Sequence, residues 1–291
     1  MIKTFPIIFV FLWSSAFITG KIVVFNSSPF AALSFRFLIV AIGFYLFSLI
    51  LKNKITGKIN YIKKSIVTGI LFHGIYLGGV WYAYSKDINV DIIALIICLQ
   101  PILTSIFAGP LLKEKVNSVQ WLGLLLGLIG SVLVIGFNFK NNISILGILS
   151  SLVALLGITI GTLVEKKYKN ELSLSTNNMY QAIAASLFHL ILTLLFEKSY
   201  INFTSEFILA LSWQIIVISF GAFSILIYLI KIGSATKTSS LFFLIPPVTA
   251  IMAWIIFNEK LEITDISGFI LATIGVYIST NVNKLDLKTP K

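Results

Sequence analysis

Hydrophobic residues run along this chain in long, almost uninterrupted stretches that alternate with short polar segments. Each stretch holds roughly 20 residues, the length that an α-helix needs to cross about 30 Å of hydrocarbon. The strict alternation of apolar and polar residues that marks membrane β-strands is absent. The pattern therefore predicts an all-α integral membrane protein whose helices span the bilayer.

The number of stretches predicts ten transmembrane helices. Most connections between them are short, which leaves no flexible linker that would divide the chain into independent domains. We expect the helices, numbered in chain order, to cover about 4–24, 29–51, 65–84, 90–112, 118–137, 144–164, 175–196, 208–231, 236–257 and 263–281.

The second half of the chain repeats the first half at one constant offset. Pro101 and Glu114 reappear as Pro246 and Glu259, each 145 positions later (259 − 114 = 145). Two copies of a unit with an odd number of spans must insert in opposite orientations. The same offset relates Lys21 to Lys166, Lys86 to Lys231, Gly123 to Gly268 and Gly130 to Gly275.

The predicted fold is therefore two inverted repeats of five transmembrane helices each. The first repeat is assigned to residues 1–140 and the second to residues 141–291. Many transporters alternate access around a central site with this inverted architecture.

Charge adds an orientation to this picture. The net charge is +11, but only 11% of the residues are charged, and the lysines lie in short loops rather than on a polar face. The lipid bilayer, and not a nucleic acid, is therefore the expected partner of these lysines. If the N-terminus is inside, sixteen lysines fall on the inner side and four on the outer side. This bias predicts that both termini are cytoplasmic.

Short motifs follow one another along the first half, namely Trp13-Ser-Ser-Ala-Phe in helix 1, Arg36-Phe37 in helix 2 and Gln100-Pro101 in helix 4. The last of these has a second copy, Ile245-Pro246, in helix 9. The ordered, duplicated set resembles the drug/metabolite transporter superfamily, specifically the bacterial EamA type with two EamA repeats. The resemblance covers essentially the whole chain.

This resemblance implies a secondary transporter rather than an enzyme, with no cofactor. Such a protein moves small organic metabolites, for example amino acids or related compounds, across the bacterial inner membrane by alternating access, often outward. The family also contains importers of scarce metabolites and lipid-linked carriers or flippase subunits, so both stay open as alternatives. In this family helices 5 and 10 can also serve dimerisation, so a homodimer is a candidate assembly.

Helix 3 offers the first candidates for substrate binding. His73 and Tyr76 share one helical face among several glycines and further aromatic residues. An aromatic face around a histidine suits a cavity for amphipathic organic solutes. The alternative is an aromatic belt at the membrane interface.

The prolines of helices 4 and 9 offer the second set of candidates. Pro101 and Pro246 interrupt the helical hydrogen bonds near mid-membrane in both halves, so they are candidate hinges beside a binding site. Gln100 adds a polar side chain to the first copy only, because Ile245 takes its place in the second.

Other polar or aromatic residues within the spans complete the candidate set. Arg36 can hold a substrate carboxylate through two parallel hydrogen bonds, or it can hold the repeats together. Glu165 can carry a proton or pair with Lys166, and Trp13 and Ser14 can face the cavity or pack between helices. Lys21 and Lys166 are expected to anchor helix ends at the interface. Two histidines without an acidic cluster do not predict a metal site.

Overall fold

The described part of the chain is helical apart from turns and one isolated antiparallel bridge between Ser27 and Ile201. The structure is a computed structural model, and it describes residues 4–86, 88, 90–136, 144–168, 171–257 and 262–285. Within these residues, nine helices are long and apolar enough to cross a membrane. The all-α membrane fold predicted from the sequence is confirmed.

The helices, numbered α1 to α10 by span, follow the predicted order. Two of them are broken: α4 consists of two pieces and α9 of three. The bounds are α1 Phe5–Phe25, α2 Pro29–Ile50, α3 Ile59–Tyr84, α4 Val90–Ile97 and Gln100–Leu112, α5 Ser118–Ile135, α6 Ile145–Lys167, α7 Leu174–Phe196, α8 Ser205–Ile232, α9 Ala235–Ser240, Leu241–Leu244 and Ile245–Phe257, and α10 Ile263–Leu285.

Helices that correspond to one another in the two halves pack together across the middle of the bundle. The most extensive contacts join α2 to α7 and α5 to α10. In addition, α1 packs against α8, and α3 packs against α6 and α7. The most extensive helix contacts thus cross between the two repeats and join them into one body.

The contact between α5 and α10 depends on glycine. A Cβ atom added at Gly130 would lie 2.3 Å from the backbone nitrogen of Ala272, and one at Gly275 would lie 2.3 Å from that of Gly127. Backbone cannot move aside as a side chain can, so only glycine permits this approach. Gly130 and Gly275 are therefore close-packing positions within the chain.

The breaks in α4 and α9 lie at positions related by the repeat. In α4 the helix turns irregular at Cys98 and Leu99 and restarts at Gln100, while in α9 a short 3₁₀ segment ends at Leu244 and the helix restarts at Ile245. The candidate hinges Pro101 and Pro246 are therefore the second residue of each restarted helix, where proline fits without distortion.

A second matched irregularity was not visible in the sequence. Residues Ile70–Tyr76 of α3 and Gln214–Ala222 of α8 form π-helical turns, and the offset of 145 carries Ile70 to Ile215, inside the second segment. Such turns widen the helix locally and often occur at functional sites.

One helix boundary differs clearly from the sequence prediction. The helix α3 begins at Ile59 rather than at about 65, because Ile59–Gly69 forms an amphipathic helix whose polar side carries Lys63 and Lys64. The sequence analysis placed these lysines in a loop. A lysine needs only a polar environment, however, and the polar side of a helix provides one.

We predict that Gly130→Ala destabilises the protein by about 1 to 3 kcal/mol, because its methyl group overlaps the backbone of α10. Gly109→Ala is the matched control, since the nearest atom to its added Cβ is 3.8 Å away. Thermal unfolding in detergent measures both. Equal midpoints for the two variants would contradict the close contact between α5 and α10.

Candidate substrate site

A large cavity opens at the face of the bundle where α1 ends. It has a volume of about 730 Å³, within the range of small-molecule sites. We call it the vestibule. Its wall combines lysines, aromatic rings and one carboxylate. The described residues that line it are Lys21, Val24, Phe25, Ser27, Ser28, Pro29, Phe30, Tyr82, Tyr84, Ser85, Lys86, Leu192, Phe196, Glu197, Lys198 and Tyr200.

A small chamber lies deeper in the bundle and shares Tyr84 with the vestibule. Its volume of about 20 Å³ is enough for about one water molecule and not for an organic solute. A solute would reach this depth only if the walls separate. The chamber is lined by Trp13, Ala16, Phe17, Tyr76, Leu77, Val80, Trp81, Tyr84, Gln214, Ile218 and Phe223.

The predicted residues Trp13 and Tyr76 come together in the chamber wall. Their rings stack with centroids 6.3 Å apart, and Trp13 also contacts Phe223 at 4.6 Å. His73 lies on the other side of Phe223, at 4.3 Å between ring centroids, and against Phe37 at 4.7 Å. One aromatic ring therefore separates the buried imidazole of His73 from the chamber.

Arg36 is completely buried behind this wall. Its Nε and Nη2 atoms donate to the hydroxyl of Ser219 at 3.1 and 2.9 Å, and its guanidinium lies 5.7 Å from the ring centre of Trp81. Its Nη1 atom has no hydrogen-bond partner. Arg36 thus joins α2 of the first repeat to the π-helical turn of α8 in the second, and it keeps one donor group unused.

Ser14 and Gln100 lie beside the helix breaks and do not line the cavities. The hydroxyl of Ser14 donates to the carbonyl of Ile245, next to the candidate hinge Pro246, at 3.3 Å. The amide of Gln100 donates to Thr104 at 3.0 Å and to Thr162 of α6 at 3.5 Å. The restart of each broken helix is thus tied to a helix of the other repeat.

Glu165 lies far from the vestibule, near the end of α6. Its two oxygen atoms accept hydrogen bonds from the amides of Asn177 at 3.4 Å and Gln181 at 3.3 Å, and the amide of Gln181 also donates to Thr68. The structure therefore separates Glu165 from Trp13 and Tyr76. Among the described residues, no group of three or more metal-ligating side chains is found.

The face where α1 begins is closed by bonds between the repeats. The ammonium group of Lys166 donates to the carbonyl of Gly233, and the carboxylate of Glu114 accepts from the backbone amide of Ala235 at 2.9 Å. Thr176 donates to the carbonyl of Lys54 at 3.0 Å. The Glu114 and Thr176 bonds join opposite halves of the chain, whereas the Lys166 bond ties the end of α6 to the loop before α9 within the second repeat.

Glu197 ties two helices at the vestibule. Each of its oxygen atoms accepts a backbone amide hydrogen bond, from Phe30 and Ala31 at 3.1 Å, at the first turn of α2. Burial raises the pKa of the Glu197 carboxyl above its usual range, while these amides and nearby Lys86 act in the opposite direction. The carboxylate thereby balances the positive end of the α2 dipole.

Several residues of the site were absent from the sequence prediction. Gln214 donates to the carbonyl of Ala16 at 2.9 Å and to Thr19 at 2.8 Å in the chamber wall. A glutamine within an apolar span was an available signal, because such a group is costly in the membrane unless it is bonded. Phe223 gave no comparable signal, and the sequence analysis assigned Lys21 to the membrane interface rather than to the site.

A model of the EamA-like transporter family matches residues 4–136 and 145–281. The chain belongs to this family. Two EamA regions in one chain agree with the observed duplication. The transporter assignment and the multi-pass membrane fold therefore stand, while the matches do not specify a substrate or a direction.

Known members of the EamA family resemble the chain over most of its length. Two are uncharacterized transporters of Bacillus subtilis: YvbV is 26% identical over 77% of this chain and 72% of its own length, and YoaV is 20% identical over 92% and 93%. An uncharacterized transporter of Archaeoglobus fulgidus is 25% identical over 91% and 94%. A solved crystal structure shares the fold with a TM-score of 0.81, at 17% identity, over 97% of this chain and 98% of that one.

We predict that Ser219→Ala lowers the free energy of unfolding by about 1.5 to 3 kcal/mol, because Arg36 loses both of its hydrogen bonds while it stays buried. Ser267→Ala removes an exposed hydroxyl of α10 and serves as the control. Thermal unfolding in detergent is the measurement. A Ser219→Ala midpoint equal to that of the control would show that the Arg36 contact does not hold the repeats together.

Proposed function

We propose that this EamA-family protein is a secondary carrier that moves small organic metabolites, such as amino acids, across the bacterial inner membrane by alternating access. The observation that carries the proposal is the difference between the two ends of an inverted repeat. One end opens into the vestibule, and the other is closed by bonds between the halves, from Ala235 to Glu114 and from Thr176 to Lys54. This is the arrangement expected of one state of a carrier.

The two states of the carrier differ in which end is closed. If the repeats exchange their conformations, each residue takes the environment of its mate 145 positions away. Lys166 now donates to the carbonyl of Gly233. The mate of Lys166 is Lys21, which lines the vestibule, and the mate of Gly233 is Ile88 (233 − 145 = 88). In the other state Lys21 therefore closes the vestibule on the carbonyl of Ile88, and Lys166 is released.

The hinges of this motion are the breaks at Pro101 and Pro246. A helix that restarts at a proline lacks one backbone hydrogen bond, so it bends there at lower cost than elsewhere. The aromatic wall formed by Trp13, Tyr76 and Phe223 separates the vestibule from the interior in the present state. Movement at the hinges opens that wall and admits the solute.

The lysine bias assigns the closed end to the cytoplasm and the vestibule to the outside. Both termini are then cytoplasmic, and the present state faces outward. Net export is the proposed direction, on the basis of the family resemblance alone.

Single-cysteine labelling tests the exchange of states without knowledge of the substrate. In a Cys98→Ser background, Ser85→Cys reports on the vestibule, and Ser239→Cys reports on the buried interior below the closed end. Removal of the Lys166 bond with Lys166→Met should raise maleimide labelling at position 239 and lower it at position 85. We expect about a tenfold shift in the ratio, because the lost bond involves a charged donor.

Lys21→Met should shift both signals in the opposite direction, because it removes a bond of the other state. Lys58→Met, an exposed lysine at the start of α3, is the control with the same change of charge. If Lys21→Met and Lys166→Met change the two signals in the same direction, or not at all, alternating access through these gates is wrong.

A further inference from the structure

We propose that the vestibule and chamber bind small organic anions, namely carboxylates that carry a flat apolar or aromatic body. This assignment of a substrate class rests on the proposed carrier function. It is argued from the charges of the vestibule, from the unused donor of Arg36 and from the rings of the chamber.

The charges that face the vestibule favour an anion. Lys21, Lys86 and Lys198 line it, and among the described residues that line it Glu197 is the only acidic one. Both oxygen atoms of Glu197 are bound by backbone amides at the start of α2, so its charge is balanced by the helix dipole. The three lysines therefore give the vestibule a positive potential that concentrates anions at its mouth.

Arg36 provides a fourth positive charge, deeper in the bundle than the three lysines. It is buried at 0% exposure, and among the described residues no carboxylate pairs with it. Only Ser219 accepts its hydrogen bonds, and Nη1 remains without a partner. A buried cation without a counter-ion is costly in a membrane, and a substrate carboxylate would supply the missing charge and the missing acceptor.

Trp81 contacts both the chamber and Arg36. Its ring lines the chamber, and the guanidinium of Arg36, which does not line the chamber, lies 5.7 Å from the ring centre. In the present state Arg36 is therefore covered. Movement of Trp81 during opening of the wall would expose Nη1 to a solute that has entered from the vestibule.

The rings of the chamber define the body of the solute. Trp13, Tyr76, Trp81, Tyr84 and Phe223 surround the space, and Gln214 is the only hydrogen-bonding amide among the described residues that line it. Aromatic walls favour flat apolar groups through stacking and edge contacts. A cation would gain from these rings as well, but it would be opposed by four positive side chains along the path.

Binding of three probes whose head groups differ in charge tests the proposal. They are phenylpropionate, phenylpropanamide and phenylpropylamine, which share the ring and the chain length and are anionic, neutral and cationic. Binding to the purified full chain in detergent is measured by tryptophan fluorescence and thermal shift. Phenylpropionate should bind at least about fivefold more tightly than the amide, and the amine should bind most weakly, because each charge contact contributes up to about 1 kcal/mol.

Variants separate the proposed site from general attraction to a basic protein. Lys21→Gln and Lys86→Gln should each weaken phenylpropionate binding about two- to fivefold, whereas Lys58→Gln at the opposite face should leave it unchanged. Arg36→Lys keeps the charge but loses the planar fork, and we expect about a tenfold loss. If Arg36→Lys fails to fold, the double variant of Lys21 and Lys86 still decides the question.

Equal binding of the three probes, preference for the amine, or no binding of any probe would overturn the anion assignment. An equal effect of Lys58→Gln and Lys86→Gln would overturn its location. Failure of the substrate class and failure of the carrier function can be distinguished. Reciprocal cysteine labelling without anion preference leaves a carrier of other solutes, and anion binding without reciprocal labelling leaves a binding protein that does not alternate.

Discussion

The absence of water inside a bilayer is the constraint on which this structure depends. A backbone carbonyl without a hydrogen-bond partner there costs several kcal/mol, so an irregular helix survives only where another group supplies the bond. Serine hydroxyls do this here. Pro247 has no amide hydrogen to donate to the carbonyl of Phe243, and Ser131 of α5 donates to it at 2.7 Å. Ser219 donates to the carbonyl of Gln214 in the π-helical turn of α8 at 3.0 Å.

These serine hydrogen bonds explain how the fold combines a rigid helix contact with movable parts. The glycine contact between α5 and α10 leaves no space for adjustment, because backbone meets backbone. The broken helices α4 and α9 are held instead by a few hydroxyl and amide bonds, such as those of Ser14 and Gln100. Individual bonds of this kind can exchange at a cost of about 1 kcal/mol each, whereas the glycine contact cannot.

The sequence predicted the architecture well because the duplication is visible in it. The offset that relates Pro101 to Pro246 predicts where α4 and α9 are broken, and the structure has both breaks there. The same offset also predicts that α6 repeats α1 and that the close-packing glycines of α5 recur in α10. Glu259 was part of this pattern and lies outside the described residues.

The site was less predictable because it depends on which faces of distant helices meet. His73 and Tyr76 share a helical face, yet Tyr76 lines the chamber and His73 lies behind Phe223. Residues of α8 complete the wall, and a π-helical turn shifts the register of that helix so that a regular helical wheel misplaces them. Hydropathy alone gives no sign of such a turn.

The most direct test of the account is a pair of distances measured in the same protein in lipid. Spin labels at positions 85 and 198 span the vestibule, and labels at positions 167 and 237 span the closed end. Pulsed electron resonance gives the distribution of each distance. We expect two populations. In one, a short distance across the vestibule accompanies a long distance across the other end, and in the second the two distances are reversed. Lys166→Met should enrich the first population. Distances that vary independently, or a vestibule that never closes, would contradict it.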